Sequence, residues 1–391
     1  MSPNVTVIVP TFNRAKYLPE CLDSLTGQTA KAARIIVVDD GSTDETPSIL
    51  EGYGAEIDAV RKDNSGKSSA LNLALPMVDS EYVWIFDDDD VAHPDALKHH
   101  LDGLEGKGRY GFSYSSYQRA GTNADGSIQP GPIRHADHYE GRALFVQLLE
   151  ENLLPQPSIL VRTGCYREMG PFDERLVRSQ DYEMLLRLSR RYPAAVVEEV
   201  TYYYREHAGT RGSSSDSFGI KALDDKWVKY DRIIFQELYH DLALWEYLPQ
   251  LTAERSLSGA ERRHALIRRF SIMMRYCLWD LALSDLSELL ESESGNSGLI
   301  AEEQEILRRI FENRAALMFR SGYDGRRLRT GFSKGDQTLA GGIRTEMSRT
   351  LYYEFHRDFN AGNYRKALLM LTRLIPLLGT RGVFGAMGSK F

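Results

Sequence analysis

Four consecutive carboxylates, Asp87-Asp88-Asp89-Asp90, are the densest chemistry in the chain. They follow the apolar run YVWIF, Tyr82 to Phe86, and so leave the end of a strand. Packed carboxylates repel one another, and a divalent cation would offset their charge. All-oxygen donors suit Mg2+ or Mn2+, which keep positions open for substrate phosphates. A second acidic cluster is Asp39-Asp40-Gly41-Ser42-Thr43-Asp44. An acidic side chain there can accept a hydrogen bond from a nucleobase imide or a ribose hydroxyl. Gly41 permits the tight turn, and Thr43 or Asp44 can cap the helix that follows. Gly66-Lys67-Ser68 ends like a phosphate-binding P-loop, but Arg61 stands where the first glycine of that motif belongs. The P-loop reading fails, and Lys67 remains available to meet a phosphate as a point charge.

The elements that must position these residues alternate between two periods. Val5 to Val9, Ile35 to Val38 and Tyr82 to Phe86 are short continuous apolar runs, as buried parallel strands require; Ala59 to Arg61 is a shorter candidate. Between them Leu18, Leu22 and Leu25 recur at helical spacing, and Thr43 to Tyr53, Ser68 to Leu75 and His93 to Leu104 read as helices. This order predicts a parallel sheet covered on both faces. Such sheets bind ligands at the carboxyl ends of their strands. Pro10 to Arg14, Asp39 to Asp44 and Asp87 to Asp90 all fall there and would converge on one crevice. Gly121 to Gly131 reads as a loop. Residues 219–319 are helical in period, with Ala265 to Leu290 rich in Leu, Met and aromatics. Gly322 to Gly342 reads as a Gly/Arg-rich loop, and Tyr352 to Leu378 as helix with a hairpin-like turn at Gly362-Asn363-Tyr364.

The 391 residues are 42% hydrophobic and 26% charged, which excludes a mainly disordered chain. The sequence has no run of about 18 apolar residues, so no segment is expected to span a bilayer as a helix, and the first ten residues do not have the form of a signal peptide. Cys21, Cys165 and Cys277 are odd in number and far apart, so a disulfide framework is not expected and a reducing cytoplasm is. The net charge of −7 conceals 16 Lys+Arg against 9 Asp+Glu from Leu299 to Phe391, which leaves 32 basic and 46 acidic residues elsewhere. The acidic first part is a poor match for nucleic acid.

Taken in order, VTVIVPTFNRAKYLPECLDSL, IIVVDDGSTDET, NSGKSSALNLAL and YVWIFDDDDVAHPDAL resemble the nucleotide-sugar-binding half of family 2 glycosyltransferases, which have the GT-A fold. MGPFDERLVRSQDYEMLLRL resembles that family's acceptor-side motif, and YYYREHAGTRGS its closing segment. The resemblance covers residues 4–215. It implies an α/β fold: a GT-A, Rossmann-like, mostly parallel-sheet catalytic domain over residues 1–218, with a mainly α-helical region over 219–391. It also implies roles. Pro10, Phe12 and Arg14 would line the base and ribose pocket, Asp40 would bind the base with Asp39 close by, and Asn64 and Lys67 would lie near the nucleotide or diphosphate. Asp87 and Asp89 are the outer members of a D-x-D motif; Asp87 and Asp88 are grouped with the donor site, and Asp89 and His207 are the expected metal ligands. Asp181 aligns with the general base. The usual Glu-Asp pair is here Gln180-Asp181, a departure in the first position only.

Transfer from a nucleoside diphosphate sugar requires stabilisation of the leaving diphosphate, which Mn2+ or Mg2+ can supply. It also requires deprotonation of the acceptor hydroxyl, which a carboxylate can perform. A single displacement inverts the anomeric centre. UDP is the favoured donor nucleotide because Asp40 suits a uracil imide, with GDP and dTDP left open. The expected acceptor is a glycan or lipid-linked hydroxyl in bacterial surface polysaccharide synthesis. The alternatives are a nucleotidyltransferase that makes nucleotide sugars, for which the first loop lacks glycines, and a non-catalytic sugar-nucleotide-binding scaffold. The Q-x-x-R-W motif of processive synthases is missing. For the basic, Leu-rich tail the functional readings are self-association and a peripheral patch on the inner face of the cell membrane.

Overall fold

Val5–Thr11 forms strand β1, and all seven of its residues are buried. A strand covered on both faces must be apolar throughout, which explains the unbroken run. The computed structural model describes residues 4–123, 127–206, 223–291, 298–312, 318, 325–370 and 372. They fall into two units, Met1–Leu223 and Asp224–Phe391.

In the first unit, β1 lies between β2 (Arg34–Asp39) and β4 (Tyr82–Ile85), with β3 (Asp58–Arg61) outside β2, all parallel. Beyond β4 the sheet continues through β8 (Ile159–Arg162), β6 (Phe112–Thr122), β9 (Ala194–Arg205) and β5 (Val91–Ala92). Strand β7 (Ile128–Arg134) pairs with β6. Because β8 is antiparallel to both β4 and β6, while β9 is parallel to β6, six of the nine strands point one way. The sheet is therefore mostly parallel. Helix α1 (Leu18–Thr26) buries Leu18, Cys21, Leu22 and Leu25, one face at helical spacing. Helices α2 (Thr46–Tyr53), α3 (Lys67–Ala74) and α4 (Ala96–Leu104) follow β2, β3 and β5; α5 (Ala143–Glu150), α6 (Thr163–Met169) and α7 (Gln180–Arg191) lie in the second half of the unit.

Two readings of the sequence are corrected. The segment from Gly121 to Gly131 is not simply a loop: β6 runs to Thr122 and β7 resumes at Ile128, with Ala120 opposite Pro130. Proline is tolerated because β7 pairs with β6 alone. Ala265 to Leu290, rich in Leu, Met and aromatics, falls on two helices. Helix α9 (Gly259–Arg275) stops, Cys277 takes a left-handed φ of 60°, and α10 (Trp279–Glu291) begins. Of the segment Gly322 to Gly342, read as a loop, the described residues 325–342 are largely helical, with α12 (Gly325–Gly331) and the start of α13 (Gln337–Asn360) among them. Two of its glycines serve close packing. A Cβ on Gly331 would meet Leu286 Cδ2 at 3.1 Å, and one on Gly342 would meet Leu299 Cδ1 at 3.1 Å.

The second unit also contains α8 (Leu223–Asp241) and α11 (Ala301–Arg308). Its core carries buried ion pairs. Arg269 reaches the fully buried Asp285 at 2.7 Å, and Arg263 reaches Glu303 at 2.6 Å. Helix resumes at 364–370 after Gly362, whose φ is 77°; most of the basic tail beyond lies outside the described residues.

Candidate active site

The loops after β1 and β2 are tied to each other. Asn13, with a left-handed φ of 52°, donates its N–H to Ser42 Oγ at 2.8 Å and accepts the Thr43 N–H at 2.7 Å. Asp44 accepts the N–H of Thr46 at 3.0 Å, at the start of α2, and that of Ala15 at 3.1 Å. It stands one residue before Glu45, which occupies the N-cap of α2, and serves as a brace between the loops. Pro10 is buried in β1 opposite Val38, and Phe12 is half-buried just beyond the strand.

Asp39 and Asp40 are both buried. Asp39 accepts the Ser42 N–H at 2.8 Å and pairs with Arg61 at 3.0 Å. Asp40 accepts four donors: Lys62 Nζ at 2.6 Å, Asn64 Nδ2 at 3.1 Å, and the N–H groups of Ser65 at 3.0 Å and Gly66 at 2.7 Å. These bonds shape the turn that delivers Lys67 to the start of α3, where Gly66 takes a φ of 95°. Arg61 and Lys62 were missed in the sequence; their only signal is basic charge at the end of β3.

The aspartate tetrad occupies the turn between β4 and β5, and its members separate. Lys67 Nζ lies 2.5 Å from Asp87 Oδ1. Arg14 lies 3.3 Å from Asp88 and 3.8 Å from Asp89, so its guanidinium faces the tetrad. Asp90 is turned inward, 1% exposed, and accepts the Arg205 N–H at 2.8 Å. Arg205, also missed, donates Nε to the Asp89 carbonyl at 2.9 Å. Burial lifts the Asp88 carboxyl to about 7; Arg14 pulls it down, while Asp89 and Asp87 push it further up. Asp87 is raised by burial and by Asp89, against the pull of Lys67. Burial pulls the Lys67 ammonium down, but Asp87 and Asp181 outweigh it and hold it above its ordinary value.

Asp181 stands in the first turn of α7, half-buried, and its Oδ1 accepts the Tyr182 N–H at 2.9 Å. Ser179 just before the helix takes a left-handed φ of 60°. This side of the site is fastened to α3 by Asn72, whose Nδ2 donates to the Phe172 carbonyl at 3.0 Å while its Oδ1 accepts the Phe172 N–H at 2.8 Å. Asp181 thereby comes within electrostatic reach of Lys67, Asp87 and Tyr166. The described geometry brings Arg14, Lys67, Asp87, Asp88 and Asp89 together, and the Asp181 charge acts on Lys67 and Asp87. Asn64 stays with Asp40, and His207 lies outside the described residues.

Among the described residues no group of three or more His, Cys, Asp and Glu side chains forms a ready-made metal cage. The residues fit a different mode. Mg2+ and Mn2+ are commonly held by one or two carboxylates together with substrate phosphates. Asp87 and Asp89 supply hard oxygen donors on the turn after β4, and burial chiefly, with the neighbouring carboxylates adding to it, raises Asp88 and Asp87 above their ordinary range. No helix among the described residues is long and apolar enough to cross a membrane.

The family model described as glycosyl transferase family 2 matches residues 6–167. An uncharacterised glycosyltransferase of Rickettsia prowazekii is 30% identical over 231 residues, covering 58% of this chain and 71% of the relative. Chondroitin synthase of Escherichia coli is 25% identical over 239 residues, covering 60% of this chain and 33% of the synthase. The chain likewise spans about a third of the length of other Rickettsia relatives. Residues 1–349 of Staphylococcus aureus TarS, solved in complex with UDP-GlcNAc, align with a TM-score of 0.49 and 17% identity over 92% of each chain. On the family model and the Rickettsia prowazekii relative together, this chain belongs to the family 2 glycosyltransferases.

Proposed function

We propose that the chain transfers a sugar, with inversion, from a nucleoside diphosphate sugar to an acceptor hydroxyl, assisted by Mn2+ or Mg2+. The observation that carries this reading is the carboxylate turn after β4 faced by two cations, Lys67 at 2.5 Å from Asp87 and Arg14 at 3.3 Å from Asp88, with Asp181 as the candidate base whose charge acts on Lys67 and Asp87. A bound divalent cation, held by Asp89 and Asp87, would neutralise charge on the departing diphosphate. Lys67 adds a fixed positive charge at the start of α3, where helix N–H groups also favour phosphate. Arg14 holds Asp88 and Asp89 in orientation until donor arrives. Asp181 takes the proton of the acceptor hydroxyl as that oxygen attacks. At Asp40, a base imide N–H would replace Lys62 on Oδ1, since that side chain is the flexible member among its donors. UDP is the favoured nucleotide, although thymine presents the same imide, and the donor panel separates UDP from dTDP and GDP. The favoured acceptor is a glycan or lipid-linked hydroxyl of surface polysaccharide, reached from the cytoplasmic face of the membrane.

The test is a panel of UDP-, GDP- and dTDP-sugars with Mn2+, scored by released nucleotide. Release is expected from one nucleotide class, with loss in EDTA and in Asp89→Ala. No release from any donor, or full activity after metal stripping, would refute the reading.

A further inference from the structure

A fully buried guanidinium is costly unless every part of it has a partner. Arg205 is 1% exposed, and its partners come from separate segments. Nε donates to the Asp89 carbonyl at 2.9 Å, one terminal nitrogen lies 3.3 Å from Thr122 Oγ1 in β6, and the other pairs with Glu20 of α1. Its carbon sits 5.3 Å from the Tyr17 ring centroid. The backbone N–H of Arg205 donates to Asp90 Oδ1 at 2.8 Å. One residue therefore grips two successive members of the aspartate turn, one by a main-chain carbonyl and the next by a side chain. The turn is closed from within by the Asp90 N–H, 3.2 Å from the Asp87 carbonyl. The sulfur of Cys21 lies 3.5 Å from that same carbonyl.

We propose that Arg205 and Asp90 are positioning residues that clamp the backbone of the Asp87–Asp90 turn, so that the Asp87 and Asp89 carboxylates are preset for a divalent cation. This rests on the metal-dependent reading above. Fixing the Asp89 carbonyl and the Asp90 side chain fixes the peptide between them, and with it the direction in which Asp89 projects. Partners that orient metal-binding groups from behind typically contribute about 10- to 100-fold in metal affinity. A plain core ion pair would contribute to stability alone.

The experiment is Mn2+ titration of the full chain, with free Mn2+ read by electron paramagnetic resonance, alone and with UDP present; thermal unfolding is read in parallel. Arg205→Lys keeps the charge but loses the planar fork, and a rise in Mn2+ Kd of about 10-fold or more is expected. Asp90→Ala should do the same, whereas Asp90→Asn retains an acceptor oxygen and should restore binding to within about threefold, within the range of one weak hydrogen bond. Glu20, whose side chain is 40% exposed, provides a route that spares the core: Glu20→Ala should fold and still weaken Mn2+. Unchanged Mn2+ Kd in the folded variants, with normal binding by the unsubstituted chain, would overturn the clamp alone. Failure of the unsubstituted chain to bind Mn2+ under either condition would overturn the metal reading and the clamp with it.

Discussion

Asp181→Asn isolates the proton acceptor from everything else that residue does. The Asp181 Oδ1 atom accepts the Tyr182 N–H, and an asparagine oxygen can accept it equally, so the start of α7 is preserved. Loss of a negative charge in the first helical turn costs about 0.3–1 kcal/mol of stability, a small shift in Tm. The carboxylate also raises the Lys67 ammonium and opposes ionisation of Asp87. Its removal leaves the donor site slightly more positive, so the donor KM should stay level or fall. The base itself contributes about 10²- to 10⁴-fold to the chemical step, equivalent to about 2.7–5.5 kcal/mol of barrier. The assay is steady-state nucleotide release at saturating acceptor, giving kcat and donor KM separately. A fall in kcat of at least about 10²-fold with an unchanged or lower KM is expected. A kcat within about tenfold of the unsubstituted enzyme, or a donor KM rising in step with the loss, would refute the base assignment.

Three further outcomes follow from the fold. Asn72→Ala removes both bonds to Phe172 and leaves its backbone groups unpaired, so a loss of about 1–3 kcal/mol in urea unfolding is expected, together with lower kcat because Asp181 loses its tether to α3. His100 is fully buried against Ser113 Oγ at 2.9 Å, and burial lowers its pKa to about 3. The unfolded chain takes up this proton near 6.5, so His100 contributes fully above that pH and its contribution falls on acidification; lowering pH from 7 to 5 should remove about 2 kcal/mol, and His100→Gln should flatten that part of the pH–stability profile. Gly335 has a φ of 65°, and a Cβ there would come within 2.2 Å of the Leu290 carbonyl. Gly335→Ala should therefore destabilise the helical unit by more than the roughly 1–2 kcal/mol of left-handed strain, read as a lower Tm.

The sheet edge and its chemistry were legible in the residues themselves. A parallel strand buried on both faces must be an unbroken apolar run, and polar clusters after such runs must lie at strand ends; Asp39, Asp40 and Asp87 to Asp90 could be placed by that rule alone. Glycine misled where composition stood in for geometry. Gly331 ends one helix and Gly342 lies within the next, and a Cβ on either would crowd a methyl of Leu286 or Leu299 at 3.1 Å, a constraint set by partners distant in sequence. The four aspartates looked equivalent. Tertiary structure divided them by supplying different partners: Lys67 for Asp87, Arg14 for Asp88 and Asp89, and the Arg205 backbone for Asp90. Asp40 looked like a residue waiting for a ligand; in the fold its carboxylate already organises the turn before Lys67, so a base would have to take the place of Lys62 there. Sequence by itself determined which residues are polar at which strand ends, because periodicity and burial are local properties of the chain. Which carboxylate faces the crevice and which braces it was decided only in three dimensions, because hydrogen bonds as distant in sequence as Asp90 to Arg205 have no local signature.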